Sequence, residues 1–132
     1  MIYLDASVIV SAITKEPRTE AVQRWLAGRP DNELCISDWV VTEVASALSM
    51  KVRMGHLDEN EAAQLQRNWR TVLTDGLNKA PVVSETFDRA ANVLANYALG
   101  LRAGDALHIA IAGLNGCSLA THDRLMASAA RQ

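Results

Sequence analysis

The sequence predicts an α/β fold, a parallel sheet sandwiched by helices, on three grounds. Short apolar runs of strand length alternate with longer stretches whose apolar residues recur at helical spacing. No two strand-like runs are joined by a hairpin turn, so successive strands must cross over through helices and run parallel. The runs also end on Asp or Ser, residues that cap a following helix. A sheet of this kind holds its ligands in the crevice beyond the carboxyl ends of its strands.

Met1–Leu4 reads as a buried strand and Ser7–Ile13 as the helix behind it, with Asp5 or Ser7 at the cap. Pro17 breaks the chain. Thr19–Leu26 then forms an amphipathic helix that carries Val22, Trp25 and Leu26 and ends at Gly28. Leu34–Ile36 is the second strand, after which Ser37 or Asp38 caps a long helix through Val40, Val41, Val44, Ala45 and Leu48 toward Gly55. From Asp58 to about Asp75 the chain completes a helical hairpin. Ala62, Leu65, Trp69, Val72 and Leu73 form its apolar stripe, and Glu59, Glu61, Arg67 and Arg70 solvate the rest. Pro81-Val82-Val83 is assigned to a strand, and Glu85–Leu99 to a helix that turns Phe87, Ala90, Ala91, Leu94 and Ala98 inward. Gly104–Leu114 is apolar nearly all round, which requires cover on most sides. Asn115-Gly116 turns into a last strand, Cys117–Ala120, and Asp123 caps a closing helix, Arg124–Ala130.

A chain of 132 residues that is 49% hydrophobic suffices for one domain with a real core, and no repeat or linker divides it. Lys plus Arg number 13 against 15 Asp plus Glu, and the net charge of −2 offers no bulk attraction to nucleic acid or an anionic membrane. A polyanion must therefore be held by a local basic patch or through a metal. The start lacks a basic leader region and no apolar segment is long enough to span a bilayer, so a cytoplasmic protein is expected. Cys35 and Cys117 stand alone in apolar surroundings without CxxC spacing, which favours reduced packing residues over a disulfide or a zinc site.

The chemistry lies in the acids. Asp5, Asp105 and Asp123 each sit where an apolar run or helix meets a turn, and Glu43 lies in a helix among Val40, Val41, Val44, Ala47 and Leu48. Taken singly, each aspartate has an ordinary role as an N-cap or first-turn residue. Jointly, two follow short strands and a third opens the most buried helix, so the fold is expected to bring them into one pocket. Carboxylates that close to buried segments need compensation, and a divalent cation with oxygen ligands supplies it. Oxygen donors without a His or Cys cluster favour Mg²⁺ or Mn²⁺ over zinc. The expected activity is a metal-dependent phosphodiesterase, in which the cation activates water and neutralises charge on the phosphate.

Tyr3-Leu4-Asp5-Ala6-Ser7, Thr42-Glu43-Val44, Arg102-Ala103-Gly104-Asp105-Ala106-Leu107-His108 and Thr121-His122-Asp123 stand in an order and spacing that resemble the PIN-domain ribonucleases over essentially the whole chain. In size the chain is similar to the VapC toxins of toxin–antitoxin pairs. The resemblance implies a three-layer α/β/α sandwich around a parallel sheet of about five strands. It also implies Mg²⁺-dependent endonucleolytic cleavage of RNA, with Mn²⁺ as the alternative ion. Asp5, Glu43, Asp105 and Asp123 match the family's acidic quartet. Asp5 and Asp105 would be the firmest metal ligands, Asp123 a further or water-mediated one, and Glu43 the group that positions or deprotonates the attacking water. A homodimer and a cognate antitoxin, whose C-terminal segment lies in the groove, are implied as partners.

Around the acids, Ser7 serves as an N-cap or hydrogen-bonds a ligand carboxylate or the substrate, and Thr121 supports Asp123 or simply ends a strand. Arg102 is placed to pair with an acidic ligand or touch a phosphate. His108 falls one turn after Asp105, which allows an Asp-x-x-His metal pair, but a hydrogen-bonded, semi-buried imidazole is the favoured reading. His122 reads as a loop residue near the site. Lys51, Arg53, Arg67 and Arg70 read first as solvated helix charges and second as an RNA-facing patch. Trp25, Trp39 and Trp69 read as core or interface anchors, with Trp39 walling the pocket one turn before Glu43. Met50, Met54, Leu65 and Trp69 are candidates to meet another chain. A non-catalytic PIN-like module that binds RNA or an antitoxin is the alternative. An aspartyl-phosphate enzyme is disfavoured because Ala6 and Ser7 follow Asp5 and no Lys stands at Thr121-His122.

Overall fold

The structure, a computed structural model, describes residues 1–71 and 76–132. Val72 and Leu73, assigned above to an apolar stripe, lie outside the described residues. The strands are β1 (Ile2–Leu4), β2 (Leu34–Ile36), β3 (Asn78–Lys79) and β4 (Ser118–Ala120), all parallel in the order β3-β2-β1-β4. The described residues thus form four strands where about five were expected. The helices are α1 (Ala6–Ile13), α2 (Thr19–Ala27), α3 (Asp38–Arg53), α4 (Glu59–Gly76), α5 (Ser84–Leu94), α6 (Ala103–Leu114) and α7 (Arg124–Ala130). None is long and apolar enough to cross a membrane among the described residues.

Alternation along β1 sends successive side chains to opposite faces of the sheet. Leu4 lines one apolar cavity together with Leu34 from β2, Ile9 from α1, Leu26 from α2 and Trp69 from α4. Tyr3 turns the other way, onto His108 of α6. The sheet is therefore covered on both sides, as its apolar strands require. Helix α6 is the apolar helix of the sequence, and Ala106, His108, Ala110, Ile111 and Ala112 are all buried. Truncating the fully buried Ile111 to Ala would remove about 2–5 kcal/mol.

Caps follow the local rules. Asp5, not Ser7, caps α1 by accepting the Val8 amide, Ser37 caps α3 through the Val40 amide, and Asp123 caps α7 through the Met126 amide. Gly55 and Gly100 adopt φ of +77° and +66°, the left-handed conformation that a glycine tolerates where a helical segment ends.

Two expectations are corrected. The third strand forms at Asn78–Lys79 and not at Pro81-Val82-Val83. The Ala80 amide donates to Ile36 O at 2.7 Å as the last rung, and Pro81 has no N–H with which to add another. Asn78 reinforces the register by donating its side-chain amide to Asn32 O and Leu34 O. Helix α5 stops at Leu94, and a separate 3-10 turn spans Tyr97–Leu99. Its buried face is Thr86 and Ala90, with Val93 and Leu94 partly covered, while Phe87, Ala91 and Ala98 point to solvent. Ala90 meets Ala106 and Ala110 of α6, and this seam of small side chains leaves Phe87 outside at 56% exposure.

Candidate acidic site

Asp5 follows β1 directly, and its side chain is 2% exposed. Its Oδ1 accepts the Ser7 hydroxyl at 2.6 Å and the Val8 amide at 3.2 Å, and its Oδ2 accepts the Thr121 hydroxyl at 2.5 Å. The parallel register of β1 with β4 makes the last contact, because Leu4 lies beside Ala120 and the Asp5 amide donates to Ala120 O. Ser7 Oγ in turn accepts the His122 amide at 3.0 Å, and Thr121 Oγ1 accepts the Asp123 amide at 3.0 Å. Asp5, Ser7 and the Thr121-His122-Asp123 turn form one lattice of hydrogen bonds. Ser7 is therefore a donor to a candidate ligand carboxylate, the second of the two roles considered. Thr121 supports Asp5 with its hydroxyl hydrogen and the Asp123 backbone with its lone pair.

Glu43 comes from the middle of α3 and meets α6. Its Oε2 lies 2.5 Å from His108 Nε2, and His108 Nδ1 lies 2.9 Å from the Tyr3 hydroxyl, which is 2.8 Å from Ser37 Oγ. Both imidazole nitrogens are thus engaged and the ring is 1% exposed, so the hydrogen-bonded histidine is the observed one and the Asp-x-x-His metal pair is not. Burial strongly raises the Tyr3 hydroxyl above its ordinary pKa, an effect that the hydrogen bond from Ser37 partly offsets and the charges of Asp5 and Glu43 reinforce. Tyr3 stays protonated. Trp39 donates its indole N–H to Gly104 O at 3.3 Å and leans on the His108 ring, which places it as a wall of this region.

Asp105 occupies the third position of α6 and accepts the Arg102 amide at 3.1 Å. Arg102 meets it through the backbone; its exposed guanidinium pairs with no acid among the described residues. Arg53 donates to Ser49 and Arg67 to Gln64, each on its own helix, the behaviour of helix-surface charges, whereas Lys51 is partly buried and pairs with Glu16 at 3.3 Å. Trp69 is buried, whereas Met50 and Met54 are 51% and 61% exposed near the end of α3. Cys35 and Cys117 are free thiols, but they do not stand alone: their sulfurs lie 3.5 Å apart. Burial, then the contact with Cys117, pushes the Cys35 thiol up to about 12.

One groove of about 390 Å³ joins the two halves, since Ser7 and His122 line it from one side and Glu43, Ser46 and Met50 from the other. The Nε2 atom of His122 is buried there without a hydrogen-bond partner among the described residues. No Lys or Arg pairs with Asp5, Glu43, Asp105 or Asp123 among the described residues, so these charges are left to hydrogen-bond donors. Oxygen donors of this kind fit a hard divalent cation. The expected single cluster is nevertheless not formed: no group of three His, Cys, Asp or Glu side chains among the described residues is arranged to hold a metal ion. Asp5, Asp105 and Asp123 each accept an amide at their own helix end, and Glu43 meets His108.

Comparison with known proteins gives a family match to the PIN domain over residues 2–132. No curated protein sequence matches. Among solved structures, VapC20 of Mycobacterium tuberculosis, described as a sarcin-ricin loop cleaving toxin, superimposes with a TM-score of 0.77 at 17% identity, covering 98% of this chain and 95% of that one. FitAcB of Neisseria gonorrhoeae gives 0.74 at 20% identity, covering 99% and 94%. VapBC2 of Rickettsia felis, solved on a DNA fragment from its promoter, gives 0.65 at 20% identity, covering 93% and 88%. These likenesses are of fold.

Proposed function

Because the chain belongs to the PIN-domain family, we propose that it is a Mg²⁺-dependent endoribonuclease and the toxin of a toxin–antitoxin pair. The observation that carries the reading is Asp5: a nearly buried carboxylate at a strand end, tied through Thr121 to the Asp123 turn and paired with no cationic side chain among the described residues. Such a charge is costly to keep unless a cation joins it. The fold it shares with a sarcin-ricin loop cleaving toxin supports RNA as substrate, and the VapBC2 likeness supports an antitoxin as partner.

In this reading Asp5, Asp105 and Asp123 would hold the cation once it draws them together. When bound, it supplies a lowered water pKa and neutralises charge on the scissile phosphate. Ser7 and Thr121 fix the orientation of Asp5, since each donates a hydrogen bond to one of its carboxylate oxygens. Glu43, which lines the groove, would position or deprotonate the attacking water. Mn²⁺ is an alternative ion, and a homodimer is part of the proposal, with the exposed Met50 and Met54 as its contact candidates.

The test is cleavage of structured and single-stranded RNAs by the purified chain with Mg²⁺, Mn²⁺ or EDTA, beside Asp5→Asn and Asp105→Asn. Cuts that need metal and vanish in both variants are expected. A second reading, a binding module that does not cut, draws on the lack of a three-acid group among the described residues. RNA bound equally by wild type and both variants, with no cut under any condition, would establish it instead.

A further inference from the structure

We infer that His108, oriented by Tyr3 and Ser37, is a positioning residue that holds Glu43 in its working rotamer and leaves Oε1 as the oxygen that meets the attacking water. The inference rests on the nuclease reading and deepens it at one residue.

Glu43 is a long side chain on a helix, and nothing in α3 itself restrains its outer torsions. An ionised carboxylate only accepts, so the hydrogen in the 2.5 Å contact sits on His108 Nε2. With that hydrogen on Nε2, Nδ1 of the neutral ring only accepts, so the Tyr3 hydroxyl donates to it, and Ser37, which also accepts the Val40 amide at 3.4 Å, donates its hydrogen to Tyr3 O. The bonds then run one way, from Ser37 through Tyr3 and His108 to Glu43 Oε2. Ser37, Tyr3 and His108 are each at most 1% exposed, and a dry, fully satisfied chain of this kind is strengthened by mutual polarisation.

The other carboxylate oxygen, Oε1, takes no hydrogen bond among the described residues. It lies over Gly104, where an added Cβ would come within 2.6 Å of it and within 3.3 Å of the Trp39 ring. Glu43 is thus clasped on one oxygen by His108 and seated by the missing side chain of Gly104. Because the ring is 1% exposed with both nitrogens occupied, His108 acts through Glu43 and not on the substrate. Tyr3 stands two residues before Asp5, so the strand that sets one half of the site also orients the other.

The test uses the full chain labelled with ¹⁵N, without metal, and reads the histidine side chains by NMR. His108 is expected to carry its proton on Nε2, and Tyr3→Phe and Glu43→Gln are expected to shift its signals while those of exposed His56 stay. In Mg²⁺-dependent cleavage, His108→Leu should lower kcat about 30–100-fold and leave KM within about 2-fold, as a misplaced catalytic group does. His108→Gln, which restores an N–H near the Nε2 position, should recover kcat to within about 5-fold, and Tyr3→Phe should cost about 3–10-fold. A proton on Nδ1 alone, or a folded His108→Leu within about 3-fold of wild type, overturns the inference. If His108→Leu does not fold, Tyr3→Phe at the wild-type rate with unmoved His108 signals does the same. Wild type that cuts no RNA sinks the nuclease reading, and a Glu43–His108 contact seen by NMR in that protein locates the failure there and not at His108.

Discussion

Asp5 lies buried behind Ser7, which lines the same groove as Glu43, and the two acids are held by opposite means. Asp5 is a short side chain on the end of a strand, and two of its donors, Ser7 and Val8, lie two and three residues away. The chain cannot pass from β1 into α1 without placing them there. Glu43 has three torsions to fix, stands in mid-helix, and depends on a histidine 65 residues away. Ordering such a side chain costs about 1–2 kcal/mol of rotamer freedom, which the buried chain through Tyr3 and Ser37 offsets. The comparison teaches that an acid at a strand end is positioned by local geometry, whereas an acid on a helix face needs a partner brought in by the fold.

Four changes test that contrast in order of expected size. Asp5→Asn keeps the shape and removes the charge, so cleavage should fall on the order of 10²–10³-fold while stability moves by only about 1 kcal/mol. Initial rates and urea midpoints measure both, and a variant that still cuts at more than a tenth of the wild-type rate would mean that Asp5 is only a cap. Gly104→Ala acts on the helix-borne half alone, because the new Cβ would collide with Glu43 Oε1. Cleavage should drop about 10–100-fold although Ala favours a helix over Gly by about 1 kcal/mol, so activity and stability part company. Unchanged activity there would show that Glu43 is not held where the groove needs it.

Thr121→Val acts on the strand-end half. It deletes the donor to Asp5 Oδ2 and the acceptor of the Asp123 amide, for a loss of about 1–2 kcal/mol in stability and about 10-fold in rate. A stability loss smaller than that of Gly104→Ala would reverse the assignment of local against distant support. The smallest effect belongs to Lys51→Met, at the Glu16 pair between the end of α1 and α3. Partial burial pushes the Glu16 carboxyl up, but hydrogen bonds from Ser11, Lys51 and Thr14 and the Lys51 charge outweigh it and hold the group below its ordinary value of 4.5. A carboxyl depressed in the folded state contributes stability that is fully present above about pH 4.5 and is lost as pH falls through the lower folded value. Lys51→Met should therefore be less stable than wild type by under about 1 kcal/mol at pH 7, and the gap should close as pH falls through the lowered folded value, as denaturation across an acid pH series will show.

Where sequence reasoning succeeded, the reason is short range. Caps at Asp5, Ser37 and Asp123 reach an amide three residues on, and the strand-helix alternation is carried by local periodicity. Where it failed, the deciding contact was distant. Phe87 has the right helical phase to face inward, yet the alanine seam with α6 leaves it outside. Asn78–Lys79 has no strand character and pairs because Leu34 and Ile36 offer an edge. His108 carried a visible signal, a lone histidine in an otherwise apolar helix, but its partners Tyr3 and Glu43 are invisible from its neighbours.

By itself, the amino-acid order determined the class of fold, the carboxyl-edge placement of Asp5 and Asp123, and the opening of α6 by Asp105, since each depends on residues within a few positions of one another. Tertiary structure alone decided that Thr121 serves Asp5 across 116 positions, that Cys35 meets Cys117 across 82, and that Glu43 is clasped by His108 across 65. Periodicity and capping carry no information over such separations. The distances come from strand register and helix packing, which exist only once the sheet has closed around its core.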